Sequence, residues 1–433
     1  MNIPESCDVV VIGGGPGGST ASTLLAQKGY DVVLLERAKH PRYTVGESLI
    51  PHFWKYAELI GVDKKIDEEN FVQKAGGTVV WDGVIRQMQF KSFGYGKPAL
   101  HVERDSFDHI LLEHAKEQGV KVFEEVTVTK VDPEDHNSKA TYRVNGEKES
   151  REIACKFIID CSGQKALIAR QFGMRNIDDG FKFMSIWGYY DDSKYIAADA
   201  KAYPFEMLRK IPPTTFVTNI DEWGWVWHIP QRESTSVGLI LPQDMMKEIK
   251  SSDELLEEYF KRRCMEIPHL DKLLENATYK EGHFHVIRNY SYSPEKLTDS
   301  GYFICGDAAA FIDPIFSIGV VLAMYSANVA TWAIDRSMKN PASTERNRAI
   351  FAKQYKARYE ASRALALPRY GYGGENGELV KTSINFETLL EQELMHVVSS
   401  MTTRSENFSE MSRNVEKPVM ESDKYHVVEE IVF

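Results

Sequence analysis

The first apolar run, residues 7–13 (CDVVVIG), is continuous rather than alternating, the pattern of a parallel strand buried on both faces. Four of the next five residues are glycine, Ser19 to Lys28 has helical spacing, and 31–36 (DVVLLE) is a second apolar strand, so the first 36 residues predict one β-α-β unit. Residues 78–102 alternate and predict a hairpin or a visit to another sheet. The stretch 106–118 (SFDHILLEHAKEQ) predicts a helix with Phe107, Ile110, Leu111 and Leu112 on its apolar face, stopped by Gly119. Strands are expected at 120–131, 141–144 and 156–160. From about 181 to 290 the texture changes to aromatic-rich alternating stretches with one charged helix near 252–264, predicting a mostly antiparallel sheet with one face over a ligand. At 302–306 (YFICG) the buried-strand pattern returns. Beyond 343 the chain is charged and helical, with a glycine-rich break at 371–377 and a polar segment at 402–425.

The fold class is therefore α/β (α+β). A dinucleotide-type domain with a parallel sheet is expected in three parts, 1–77, 101–180 and 291–342. A mostly antiparallel substrate domain is inserted at 78–100 and 181–290, and 343–433 forms a helical C-terminal segment.

Composition narrows the class. With 43% hydrophobic and 27% charged residues among 433, the chain is globular. Five scattered cysteines form no C-x-x-C pair, which argues against a disulfide framework or a thiolate zinc site and favours a reducing cytoplasm. A net charge of -11 without a basic stripe excludes an electrostatic grip on nucleic acid. No basic n-region precedes the first apolar run, so no secretory leader is expected. The uncharged run Pro314 to Ile334 is long enough for a membrane span. Its Pro314, Ser317, Gly319, Ser326, Asn328 and Thr331 instead predict a loop entering a buried helix, and no transmembrane segment.

Gly13, Gly15 and Gly18 satisfy G-x-G-x-x-G between strand and helix, and Glu36 closes the second strand 18 residues past Gly18. The first glycine permits the tight turn, the second the approach of a pyrophosphate, the third close packing of helix on strand, while the carboxylate reaches ribose hydroxyls. An acidic residue there favours FAD or NAD over a 2′-phosphate. Gly306-Asp307-Ala308-Ala309 follows the returning strand and precedes the long uncharged helix. Arg104 lies in HVERDSFD, and Asp160-Cys161-Ser162-Gly163 ends another strand.

In this combination residues 7 to about 345 resemble the FAD-dependent monooxygenase superfamily typified by para-hydroxybenzoate hydroxylase, with a Rossmann-like FAD domain. The resemblance gives Gly13, Gly15, Gly18 and Glu36 to the ADP part of FAD, Arg104 to the flavin side and Asp307 to the ribitol. Three tryptophans fall between 223 and 227, and Trp225 to Pro230 (WVWHIP) match W-x-W-x-I-P. That motif resembles the flavin-dependent halogenases. So do Val45 to Pro51 (VGESLIP), Lys74 placed 27 residues after Glu47, Ser291-Tyr292, and Gly306 to Val320.

The halogenase resemblance implies a soluble FAD oxidoreductase fed with reduced flavin by a partner reductase, using oxygen and a halide ion on a phenol or pyrrole, free or carrier-tethered. It places Glu47 and Gly319 with the cofactor and Lys74 in catalysis beside the substrate. Ser317, Trp225 and Trp227 fall on the halide or substrate side, the tryptophans as an apolar wall that isolates the oxidant. Two departures matter. The catalytic glutamate of tryptophan halogenases is replaced by Phe316, which argues against free tryptophan. The hydroxyl residue beside the halide-binding glycine is replaced by Ile318, which leaves Ser317 and backbone N–H groups for the halide.

Two other readings stand at this point: a flavoprotein hydroxylase or geranylgeranyl-reductase-like enzyme, favoured by Ile318, and a non-catalytic flavin-binding or redox-sensing protein. No metal site is expected. His283-Phe284-His285 has strand spacing without a third ligand, and His228 is read as structural. Cys161 and Cys305 are read as core residues. There is no G-x-S-x-G elbow, G-K-[ST] loop or H-E-x-x-H.

Overall fold

The computed structural model describes residues 2–81, 83–178, 182–220, 224–251, 254–366 and 425–433. Trp223, the break at 371–377 and the segment 402–424 lie outside the described residues.

The strand Val9–Ile12 pairs in parallel with Val32–Leu35 on one side and Phe157–Asp160 on the other. Lys121–Phe123 and Tyr302–Ile304 extend the sheet in parallel, and Thr298–Asp299 adds an antiparallel edge. Val9, Val11, Val32 and Leu34 face the helices Pro16–Gln27, Arg104–Glu117 and Gly319–Lys339 through Ala21, Leu25, Leu112, Ala115, Ala327 and Ala330. Val10, Ile12, Val33 and Leu35 face the opposite way, onto the small sheet of Val126–Asp132, Ser138–Val144 and Arg151–Cys155. Burial on both faces is why these strands are apolar at every position.

The second sheet has nine strands, in the order Thr278–Tyr279, Phe183–Asp191, Thr235–Pro242, Gly224–Pro230, Thr214–Ile220, Gly76–Trp81, Val84–Gln89 and Tyr425–Val428, with His285–Arg288 also paired to Phe183–Asp191. Thr214–Ile220 and Gly76–Trp81 run parallel, and the other pairings are antiparallel. The hairpin 76–89 therefore leaves the first sheet to join the second.

The alternating texture of 183–190 predicts one face over a ligand, yet every residue of 183–190 is buried. Trp187 and Tyr189 enter the cluster shared with the helix Phe53–Ile60 and the 312–325 segment. Met184, Ile186 and Tyr190 are covered by the helices Met245–Ser251, Leu256–Glu266 and Leu270–Leu274, three where one was expected. A second correction concerns the C-terminal segment. It is helical over Thr344–Ala366, but Tyr425–Val428 is a strand on the outer edge of Val84–Gln89. Val428 and Ile431 there pack with Val80, Ile85 and Phe216, so an edge that would otherwise stay unpaired is covered. Among the described residues no helix is long and apolar enough to cross a membrane.

Candidate active site

The glycine turn divides by cause. At φ +100° a Cβ on Gly13 would lie 2.4 Å from the Cys161 carbonyl oxygen, and one on Gly18 would lie 1.8 Å from the Gly13 oxygen, so the fold itself demands these two glycines. A Cβ on Gly15 would meet only the Arg42 guanidinium at 3.4 Å and Asp108 at 3.9 Å. No described residue requires glycine there. That space would admit a ligand close to the backbone, and the turn fits a pyrophosphate at the start of the helix Pro16–Gln27. Glu36 accepts from the Gly14 N–H at 2.6 Å and the Ala38 N–H at 2.8 Å, which fixes its carboxylate beside the turn while each oxygen keeps a lone pair for a ribose hydroxyl.

Arg104 donates Nε and Nη2 to Asp108 at 2.9 and 3.1 Å and Nη1 to the Val45 and Gly46 carbonyls at 2.9 and 3.2 Å. Most of its donors thus pin the 45–46 loop to the helix Arg104–Glu117. Arg42, which the sequence did not single out, donates to the same buried Asp108 at 3.1 Å and stands nearer Gly15. Asp307 lines a cavity of about 400 Å³ with Asp313, Phe316, Ile318, Gly319, Leu322 and Tyr359, part of it open to solvent. Burial pushes its carboxyl up to about 6, against the pull of Arg104. Its carboxylate receives no hydrogen bond from a described residue, an arrangement that fits a ribityl hydroxyl.

On the other side of the 314–319 segment lies a cavity of about 570 Å³, also partly open, lined by Lys74, Phe90, Trp81, Thr215, Ile315, Phe316 and Ser317 among others. Phe316 belongs to both cavities, so this short segment is the partition between them. The Asp313 carboxylate accepts from the Ile315 N–H, and Ser317 turns left-handed at φ +56° before the helix Gly319–Lys339 begins. That conformation costs a non-glycine residue about 1–2 kcal/mol. It delivers the Ser317 hydroxyl to Ser48 at 3.0 Å.

Lys74 ends the strand Val72–Lys74 and is buried, 4% exposed. Its Nζ donates to Ser48 Oγ at 2.9 Å and the Leu49 carbonyl at 3.1 Å and stands 5.3 Å from the centre of the Phe90 ring. Burial lowers its pKa from the ordinary 10.5 to about 7. Behind it, Ser48 Oγ is 3.0 Å from Thr215 Oγ1, which is 2.8 Å from His101 Nε2, and His101 Nδ1 is 2.9 Å from the Pro230 carbonyl. The sequence contained the parts of this network without signalling it, since residues 48, 74, 101, 215 and 230 come from five separate segments.

Trp225 and Trp227 lie on the strand Gly224–Pro230, opposite Asn219 and Val217, and are 2% and 5% exposed. They back the cavity wall that Val217 lines and sit in one apolar cluster with Phe316 and Ile318. Neither lines either cavity. Trp227 also donates to Ser236 at 3.1 Å and lies where a Cβ on Gly238 would be, 2.1 Å from its ring. The Glu47 carboxylate, expected at the cofactor, accepts from Tyr189 at 2.6 Å and Ser236 at 3.4 Å, and its carbonyl accepts from the Val102 N–H at 2.8 Å, so its oxygens are engaged within the protein. Burial raises its pKa, opposed by the Tyr189 bond.

The remaining candidates are placed structurally. His228 Nε2 meets Ser193 at 3.1 Å, and His285 stacks on Tyr43 at 4.4 Å and Trp187 at 5.2 Å. Cys161 and Cys305 pack with the helix-side core. Among the described residues no group of three His, Cys, Asp or Glu could hold a metal ion.

A model of the FAD binding domain family matches residues 6–352. The 1H-pyrrole-2-carbonyl-(peptidyl-carrier protein) chlorinase of Pseudomonas fluorescens is 32% identical, over 77% of this chain and 76% of its own length. The chain belongs to the flavin-dependent halogenase family. A family member from Chondromyces crocatus, a tryptophan 2-halogenase, is 34% identical over 77% of this chain, which spans only 62% of that relative's length. The solved structure of the myxobacterial chondrochloren halogenase CndH superposes with a TM-score of 0.76 at 27% identity, covering 96% of this chain and 93% of that one. Family membership agrees with the mixed α/β fold and with an FAD-binding domain over most of the chain.

Proposed function

We propose that the chain halogenates an electron-rich aromatic substrate, a phenol, pyrrole or indole, free or carrier-tethered, in the cavity beside Lys74. The observation that carries this reading is the buried Lys74 Nζ on the wall of a partly open cavity, one short segment away from the cavity of Asp307 and Gly319. FAD, when bound in reduced form with oxygen and halide, supplies the oxidised halogen. Gly15, Glu36, Arg42 and Asp307 hold and orient it. The partition of Ile315, Phe316 and Ile318, backed by Trp225 and Trp227, is an apolar wall that keeps a bulky aromatic substrate apart from the cofactor side.

Near neutral pH Lys74 is available both as ammonium and as amine. The ammonium donates to the hydroxyl oxygen of hypohalous acid and polarises the O–X bond. The aromatic carbon bonds X as its C–H proton leaves, and the departing hydroxide takes a proton to become water. An indole belongs in the substrate class beside phenols and pyrroles because one relative is named for tryptophan, although Phe316 stands where tryptophan halogenases carry glutamate. Reconstitution with a flavin reductase, NADH, oxygen and bromide or chloride tests the reading on a panel of phenols, pyrroles and indoles. Halogenated product on any of them supports it. Steady flavin turnover with no halogenated product on the whole panel counts against it.

Ile318 favours one second reading, hydroxylation or alkene reduction, because its side chain is apolar where a halide would want a hydroxyl. Rapid reduction of bound FAD by NAD(P)H without a partner reductase is the result that would move the assignment there.

A further inference from the structure

The proton positions in the network behind Lys74 follow from one end. The Pro230 carbonyl only accepts, so His101 Nδ1 carries the hydrogen and Nε2 is bare in the neutral ring. The ring is neutral because His101 is fully buried, with Lys74 adding to the effect. A bare Nε2 at 2.8 Å obliges Thr215 to donate to it. Thr215 has one proton, so at 3.0 Å Ser48 must donate to Thr215. Ser48 also has one proton. Toward Lys74 at 2.9 Å and Ser317 at 3.0 Å it therefore shows only lone pairs.

We propose that His101 is a positioning residue which, through Thr215 and Ser48, makes Ser48 an obligate acceptor and so leaves the lone pair of the Lys74 amine free to face the cavity. As an amine, Lys74 has two N–H bonds, and both are taken by Ser48 Oγ and the Leu49 carbonyl. The remaining position on Nζ is the lone pair, on the side of the cavity that Lys74 lines. Were Ser48 able to donate, its hydroxyl would bond that lone pair and turn it away from the cavity. The same reasoning commits the Ser317 proton inward to Ser48, so Ser317 turns lone pairs outward and does not donate to a halide. Backbone N–H groups remain for that role. The inference deepens the reading of Lys74 and rests on it for its purpose: protonation of that cavity-facing lone pair gives the N–H that the ammonium presents to hypohalous acid. The proton order itself does not depend on halogenation.

Among the described residues Lys74 is the one ionisable side chain lining this cavity, and His101 is the titratable group behind it, so its reactivity can be read directly. The experiment is competitive labelling of the full chain, without added FAD, by trace acetic anhydride across pH, with the Lys74 peptide quantified by mass spectrometry. In the wild type Lys74 should label with a midpoint near neutrality and a high plateau rate above it. His101→Phe gives Thr215 no ring acceptor and lets the hydroxyl chain reverse. Its plateau rate is expected to fall about tenfold, with the midpoint unchanged or lower. His101→Gln, whose amide oxygen can replace Nε2, should restore most of the rate.

Thr215→Val cuts the chain at its centre and should match His101→Phe, which keeps the test decisive if one variant does not fold. A merely loosened pocket would admit water, raising the midpoint toward 10.5 and raising the rate. That outcome, or a plateau unchanged in both His101→Phe and Thr215→Val, overturns the proposal. If the labelling pattern holds while no aromatic is halogenated, the proposed function fails and the proton order stands.

Discussion

Replacing Lys74 by methionine should stabilise the protein near neutral pH while disabling it. The ammonium is held in a site that lowers its pKa from 10.5 to about 7 through burial, an interval equivalent to about 5 kcal/mol at ~1.4 kcal/mol per pH unit. The sign follows from proton counting. Between about pH 7 and 10.5 the unfolded chain binds more protons at this lysine than the folded chain does, so wild-type stability rises with pH through that window and is lost as pH falls through it. Lys74→Met removes the penalty. It also removes the bonds to Ser48 and Leu49, worth about 2 kcal/mol together and leaving two acceptors to be satisfied by each other's neighbours or by water. The net gain near pH 7 is therefore about 2–3 kcal/mol, shrinking to nothing or reversing by about pH 10.5. Urea unfolding of the FAD-free protein, wild type against variant, at several pH values between 7 and 10.5 reads this directly. A variant that is less stable near pH 7, or a difference that does not change with pH, would refute the reasoning about a buried, destabilising charge.

Gly15→Ala should purify folded but with FAD binding weakened, since its Cβ meets only Arg42 and Asp108 at 3.4 Å or more, whereas Gly18→Ala should damage the fold itself against the Gly13 oxygen. Asp307→Asn should weaken FAD binding about tenfold by titration. Because the native carboxyl is held up at about 6, stability present below the ordinary carboxylate range is lost as pH rises through 6, so the FAD-free variant should gain up to about 3 kcal/mol above that pH in urea melts. Gly238→Ala drives a methyl into the Trp227 ring and should cost about 3 kcal/mol, seen as a lower unfolding midpoint.

Much of the cofactor domain was legible because its signals are local. Gly13, Gly15, Gly18 and Glu36 lie within 24 residues, and their strands announce two-sided burial by being apolar throughout. The helices over the second sheet were less legible, since what buries Met184 and Ile186 comes from residues 245–274. The strand Tyr425–Val428 was missed because its partner, Val84–Gln89, lies far away in the chain and only the open edge explains it. Lys74 could be singled out by its distance from Glu47 and by resemblance, but not its burial, which depends on Phe90, Thr215 and Ile315 closing around it. The tryptophan pair marked the family correctly and its place less well, as support behind the wall rather than the wall itself. His101 was hidden because a histidine in ALHV reads as an ordinary strand residue. Its meaning appears only when Thr215, Ser48 and Pro230 are brought to it by three other segments.

The most direct test of the central claim compares wild type and Lys74→Met, both loaded with FAD and supplied with a flavin reductase, NADH, oxygen and bromide, on the aromatic panel. Mass spectrometry should find brominated product from the wild type. From the variant it should find none, with FAD content and oxygen consumption unchanged. Equal product from both proteins would contradict the assignment of transfer to the Lys74 cavity.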